Sequence, residues 1–166
     1  VGWQFSGNME SVWATGDVSA TTESSNSGAV LAFAGGLIGY SQSGSVSSSF
    51  ASGSVSALAS SGAFANAGGL IGQHQSGTVE KSYAAGRVTA EAILGLAYAG
   101  GLIGDQANGT VENTYSMGNV LASGSGIAGD AYVGGLFGRI NGGVVRQSYA
   151  YGEVSGDAGR HLYRGG

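Results

Sequence analysis

Glu80 and Glu112 hold the same place in successive copies of an internal repeat, and a pair of neighbouring carboxylates is the arrangement that glycoside-cleaving acid and base chemistry uses. Stacked copies would bring the two side chains to about 5 Å, the spacing of adjacent strands, where each perturbs the other's ionisation. The same column continues through Glu10, Ser47 and Arg146, with Lys81 alongside. No third group converges on the pair, so a solvated face of mixed charge is the simpler expectation. His74 and His161 lie far apart and have no His-x-His or His-Glu-x-x-His context, so both are expected at exposed loops or edges. The glycine-rich run from Gly124 to Asp130 lacks the nine-residue calcium repeat, and Asn108-Gly109-Thr110, formally a glycosylation sequon, reads as a turn. Hence no catalytic, cofactor-binding or metal-ligating residue is assigned, and the chain is expected to be non-enzymatic with no cofactor.

Composition narrows the alternatives. The chain has 166 residues, 34 of them glycine, with no proline and no cysteine. Its hydrophobic share of 42% is too high for a flexible linker, yet so many glycines leave only a thin core. Six basic residues against ten acidic ones, for a net charge of -4, cannot build a phosphate-binding face or a polybasic membrane surface. Partners such as nucleic acid are therefore not expected, nor is membrane insertion. The most apolar stretch, Ala92 to Gly104, is far shorter than the ~20 residues of a spanning helix. Without cysteine, neither a disulfide framework nor a thiolate metal site is available.

What positions these residues is a repeat. Gly-Gly-Leu-Ile-Gly occurs at Gly35 to Gly39, Gly68 to Gly72 and Gly100 to Gly104, and Gly-Gly-Leu-Phe-Gly at Gly134 to Gly138. The spacings are 33, 32 and 34 residues, too regular for chance and too variable for a fibre. Aligned copies give apolar columns. One is Leu37, Leu70, Leu102 and Leu136, with Val1, Ile38, Ile71, Ile103 and Phe137 beside it; others are Val46, Val79, Val111 and Val145 below Met9, and Val18, Val55, Val88, Val120 and Val154. An aromatic column, Trp13, Phe50, Tyr83, Tyr115 and Tyr149, runs among them, and all are expected to face the core. On that reading Tyr83→Ala costs about 3 kcal/mol. Polar residues alternate with the apolar ones, as in Thr78-Val79-Glu80, and helical periodicity is absent.

Glycine recurs at the corners: at Gly44, Gly77, Gly109 and Gly143, and again at Gly53, Gly86, Gly118 and Gly152. Each repeat then holds two or three short strands, the last preceding the Gly-Gly pair and carrying Phe33, Tyr98, Tyr132 or Tyr163, replaced by Asn66 in one copy. The expected fold is all-β, a parallel β-helix of about five coils and about 24 Å in length, wound right-handed by the crossover rule. Residues 1–166 form one solenoid domain.

The Gly-Gly-Leu-Ile-Gly block and its Gly-x-Val-x-x-Ser-Tyr-Ala-x-Gly-x-Val trailer resemble the GLUG motif, across nearly the whole chain. That resemblance implies a bacterial or archaeal secreted or cell-surface protein, of the kind found in adhesin-like chains, with right-handed β-helical structure and no catalytic residue of its own. The implied role is a structural or adhesive module in an extracellular or cell-surface protein, meeting a host or surface glycan or protein, or flanking repeats.

Two further columns are expected on the outside. Ser19, Ser56, Thr89, Leu121 and Ser155 form a column too mixed for an ice-binding threonine array, and Trp3, Tyr40, Gln73, Asp105 and Arg139 change chemistry at every coil, unlike a tuned carbohydrate platform. Neither end shows a capping repeat, which suggests a segment of a longer array or a subunit that stacks head to tail on other copies. In the latter case Val1, Gly2 and Trp3 would meet Gly165 and Gly166 of the next copy and build a filament.

Overall fold

The computed structural model describes residues 1–23, 30–60 and 62–165, and within them every regular element is a strand. Twenty-five strands form five parallel sheets of five strands each, so that each of five coils contributes one strand to every sheet. In the third coil these are Ile71–His74, Thr78–Glu80, Tyr83–Ala84, Val88–Ile93 and Leu96–Gly100. The chain is thus the expected β-solenoid, with five strands per coil where two or three were expected. The additional strands leave no alternation in the sequence because several are only two or three residues long.

Register follows the sequence columns. Ile71 pairs with Ile38 and Ile103, Val79 with Val46 and Val111, and Val88 with Val55 and Val120. Two apolar seams run along the interior. One is built on Leu37, Leu70, Leu102, Val46, Val79 and Val111; the other is mostly alanine, from the fourth and fifth strands of each coil, as in Ala57, Ala65, Ala90 and Ala97. Leu136 is half-buried and Val145 exposed, because among the described residues no sixth coil lies over the fifth.

The Gly-Gly pair is a steric requirement. A Cβ on Gly68 would lie 1.9 Å from the Ile71 carbonyl oxygen, and one on Gly69 would lie 2.2 Å from the Gly101 carbonyl oxygen of the next coil. At Gly77 the backbone has φ of 109°, which glycine alone tolerates easily. Gly86 is needed for a different reason, since its Cβ would collide with the Gly53 carbonyl oxygen.

The aromatic column does not face the core. Tyr83 and Phe50 are half-buried and Trp13 and Tyr149 exposed, while Ala51 and Ala84 take the interior. The residue two before each ring explains the reversal. Ser11, Ser48, Lys81, Asn113 and Gln147 all adopt positive φ, between 46° and 54°, turning the corner and shifting the in-out alternation by one residue. Ser49, Ser82, Thr114 and Ser148 then point inward. The Val12 N–H donates to Ser49 Oγ (3.1 Å), Ser49 N–H to Ser82 Oγ (3.1 Å) and Thr114 N–H to Ser148 Oγ (3.3 Å), so hydroxyls replace carbonyl acceptors at this corner. Outside, the rings stack on one another: Phe50 to Tyr83 at 5.0 Å and Tyr83 to Tyr115 at 4.8 Å, within 4° of parallel.

A buried polar column runs beside the leucine seam: Gln4, Ser41, His74 and Gln106, with Ile140 continuing it in the fifth coil. His74 is 1% exposed rather than at a surface edge. Burial holds its imidazole down to about 4, against the opposing pull of the Gly77 backbone. Neither ring nitrogen makes a well-formed hydrogen bond.

Three outcomes follow from this interior. Tyr83→Ala, which loses two stacked neighbours but opens no cavity, should cost about 1–2 kcal/mol, against about 3 kcal/mol or more for Leu70→Ala in urea titrations; equal losses would contradict the outward placement. Ser82→Ala strands the Ser49 N–H and should cost about 1–3 kcal/mol, with Ser82→Thr much milder. Because the folded pKa of His74 lies below its unfolded value, stability is complete above about pH 6.5 and should decline by about 3 kcal/mol as pH falls toward 4. His74→Gln, matching Gln4 and Gln106, should flatten that decline; identical pH profiles would rule the assignment out.

Candidate functional site

The outer columns recognised in the sequence stand in register, yet their chemistry is set by what lies opposite each. Glu80 pairs with Glu112, and Glu112 with Arg146, in register along one sheet, and neither glutamate lines the three best-formed depressions among the described residues. The column Ser19, Ser56, Thr89, Leu121 and Ser155 is likewise in register and remains chemically mixed. Asn108 Oδ1 accepts the Gly109 N–H at 2.9 Å, in keeping with a turn.

A concave surface forms where the first and fifth strands of the coils meet. The tight passage through each Gly-Gly brings the fifth strand of one coil beside the first strand of the next. As a result the column Trp3, Tyr40, Gln73, Asp105 and Arg139 stands next to Phe33, Asn66, Tyr98, Tyr132 and Tyr163. The Phe33 and Tyr40 rings are 5.4 Å apart, and Trp3 meets Tyr40 edge-on at 5.0 Å. Ala65, Ala67, Ala97 and Ala99 fill the inward places of the same fifth strands, which leaves the alternate, larger residues outside.

Two ion pairs brace this surface. Asp105, 1% exposed, accepts from Arg139 Nε at 2.8 Å and NH2 at 2.7 Å, and the Arg139 guanidinium carbon lies 4.4 Å from the Tyr98 ring centre. Arg139 also donates to the Tyr98 hydroxyl at 3.0 Å. Burial pushes the Tyr98 phenol up to about 12, against the pull of Arg139. Farther along, Asp130 accepts from Arg160 Nε at 2.9 Å and from the His161 backbone N–H at 3.1 Å. The Arg160 hydrogen bonds hold the Asp130 carboxyl down at about 2, so the loop after Gly124 ends in an occupied carboxylate. His161 is exposed, as expected, with Nδ1 3.1 Å from Asp130 Oδ1.

The inner rings of the ladders offer no face to a ligand. Tyr132 stacks on Tyr163 at 4.4 Å and Tyr115 on Tyr149 at 5.4 Å, so each inner ring covers its neighbours and shows solvent only its edge. Open aromatic surface lies instead on the first and last coils, at Phe5 and Tyr151, each 67% exposed, Trp13 at 66% and Trp3 at 63%.

The residues expected at end-to-end contacts lie at opposite ends of the stack. Val1, Gly2 and Trp3 are exposed on the first coil, where Gly39 and Tyr40 N–H groups donate to the Val1 and Gly2 carbonyls. Gly165 closes the strand His161–Gly165 of the fifth coil, and Gly166 lies outside the described residues. Leu162 and Arg164 hold positions there that Ala131 and Val133 occupy one coil earlier, and Arg164 donates to the Gly156 carbonyl at 3.0 Å. The signal for that change of bulk was present in the sequence, since both residues flank Tyr163 at a fixed offset from Gly165. Comparison with protein-family models, with curated proteins and with solved structures finds no match for this chain.

Proposed function

We propose that this chain is a GLUG-like, non-enzymatic module of a prokaryotic extracellular or cell-surface protein, serving as a rigid structural and adhesive element. The observation that carries this reading is the unbroken register of all five sheets through five coils, with hydroxyl and aromatic ladders running the same way. Such an arrangement spreads stability evenly along one axis and leaves a long, stiff lateral surface. Its aromatic ladders consume one another's faces, which suits a spacer or adhesive rod better than a catalytic cleft. The motif resemblance supports the location. Absence of cysteine leaves the redox compartment open.

The reading is tested by immunogold labelling of intact and permeabilised cells of the native host, together with an attachment assay on a strain lacking the gene. Labelling before permeabilisation and reduced attachment are expected. Label confined to permeabilised cells would overturn the location, and unchanged attachment the adhesive role.

A further inference from the structure

One coil breaks the outer aromatic column. Asn66 pairs with Phe33 on one side and Tyr98 on the other, in a position that every other coil fills with a ring. At the parallel strand spacing, two steps separate Phe33 from Tyr98 by about 10 Å, room that one further ring would occupy. A depression of about 260 Å³ lies over this gap, lined by Phe64, Asn66, Gln73, Tyr98 and Arg139 among others. It shares Leu31 and Gln73 with a wider groove of about 960 Å³ that includes Trp3, Phe33 and Tyr40.

The polar groups of the depression are incompletely used. Asn66 is 3% exposed, yet its Oδ1 has no hydrogen-bond partner. A buried carboxamide oxygen without a donor marks a missing partner. The Gln73 amide nitrogen donates to Asp105 at 3.3 Å, which leaves its carbonyl oxygen available. The Tyr98 oxygen accepts from Arg139, so its own proton remains free to donate. Asp105 and Arg139 neutralise each other through two hydrogen bonds, and an ionic ligand would have to break that pair.

The matching ligand is neutral, rich in O–H donors and acceptors, and flat and apolar on one face. A purely aromatic ligand would leave Asn66 Oδ1 unpaired. We propose that the gap at Asn66 is a subsite for a neutral pyranoside, whose C–H face rests against the Tyr98 side of the gap while its hydroxyls engage Asn66, Gln73 and the Tyr98 phenol. This inference stands independently of the cell-surface reading, since it concerns only the groove.

The test is a 15N NMR titration of the whole chain with methyl β-D-glucopyranoside, methyl β-D-galactopyranoside and the methyl glycoside of N-acetylglucosamine. Each is taken to about 50 mM, enough to reveal a Kd of the order of 10 mM. Saturable shifts of the Asn66 carboxamide and of the Tyr98 amide are expected for at least one sugar. Asn66→Tyr, which completes the aromatic column, should weaken that response roughly tenfold while preserving the far-UV spectrum and Tm. If Asn66→Tyr does not fold, Gln73→Leu at the half-exposed rim decides, with a clear loss of affinity expected. No saturable shift with any of the three sugars, or undiminished binding in the folded variant, overturns the subsite.

Discussion

Every coil rests on the next through parallel backbone hydrogen bonds that set each residue beside its own counterpart, about 4.8 Å away. That vertical repeat is the constraint on which the structure turns. It requires the backbones to approach closely at the Gly-Gly corners, where a Cβ on Gly68 or Gly69 would fall within 2.2 Å of a carbonyl oxygen. It also makes each side-chain type self-propagating: alanine lies on alanine, serine bonds the backbone beside serine, and tyrosine stacks on tyrosine. A favourable choice is repeated along the axis, and so is an unfavourable one.

The thinness of the interior decides what those repeated choices are. Alanine seams bring the fourth and fifth strands close together and leave no room for a ring, so Tyr98, Tyr132 and Tyr163 of the fifth strands lie outside. There they still bury area, against each other. Polar groups are admitted inside where a corner leaves backbone donors or acceptors in need of partners: Ser49 and Ser82 at one corner, Gln4 and Gln106 at another, where their amides reach the Gly7 and Asn108 carbonyls. His74 is the member of that column that gains least, and its depressed basicity follows from burial without a firm partner.

Departures from the repeat are where distinct chemistry arises. The column from Trp3 to Arg139 changes character at each coil, which on its own would make a poor binding surface. Placed against Phe33, Asn66 and Tyr98 it becomes a graded groove, aromatic at one end and braced by the Asp105–Arg139 pair toward the other. Asn66 is the one residue in its column that neither stacks nor finds a partner for its carbonyl oxygen. At the fifth coil, Arg164 and Leu162 take positions that alanine and valine hold elsewhere.

Repetition made the coil number, the parallel stacking and the Leu70, Val79 and Val88 columns legible from the chain alone, because a residue that recurs at a fixed interval must meet its copies. The motif glycines were legible for the same reason. Facing direction at the third strand was not. An apolar ring at Tyr83 reads as core by composition, and only the positive φ at Lys81, which nothing in that side chain announces, shifts the alternation and turns the ring outward. Nor could one column reveal its lateral neighbour. Sequence defines what lies above and below a residue in a solenoid, since that follows from the repeat length. What lies beside it depends on how the corners fold, and so the burial of His74 and the groove between Gln73 and Asn66 were decided by tertiary structure.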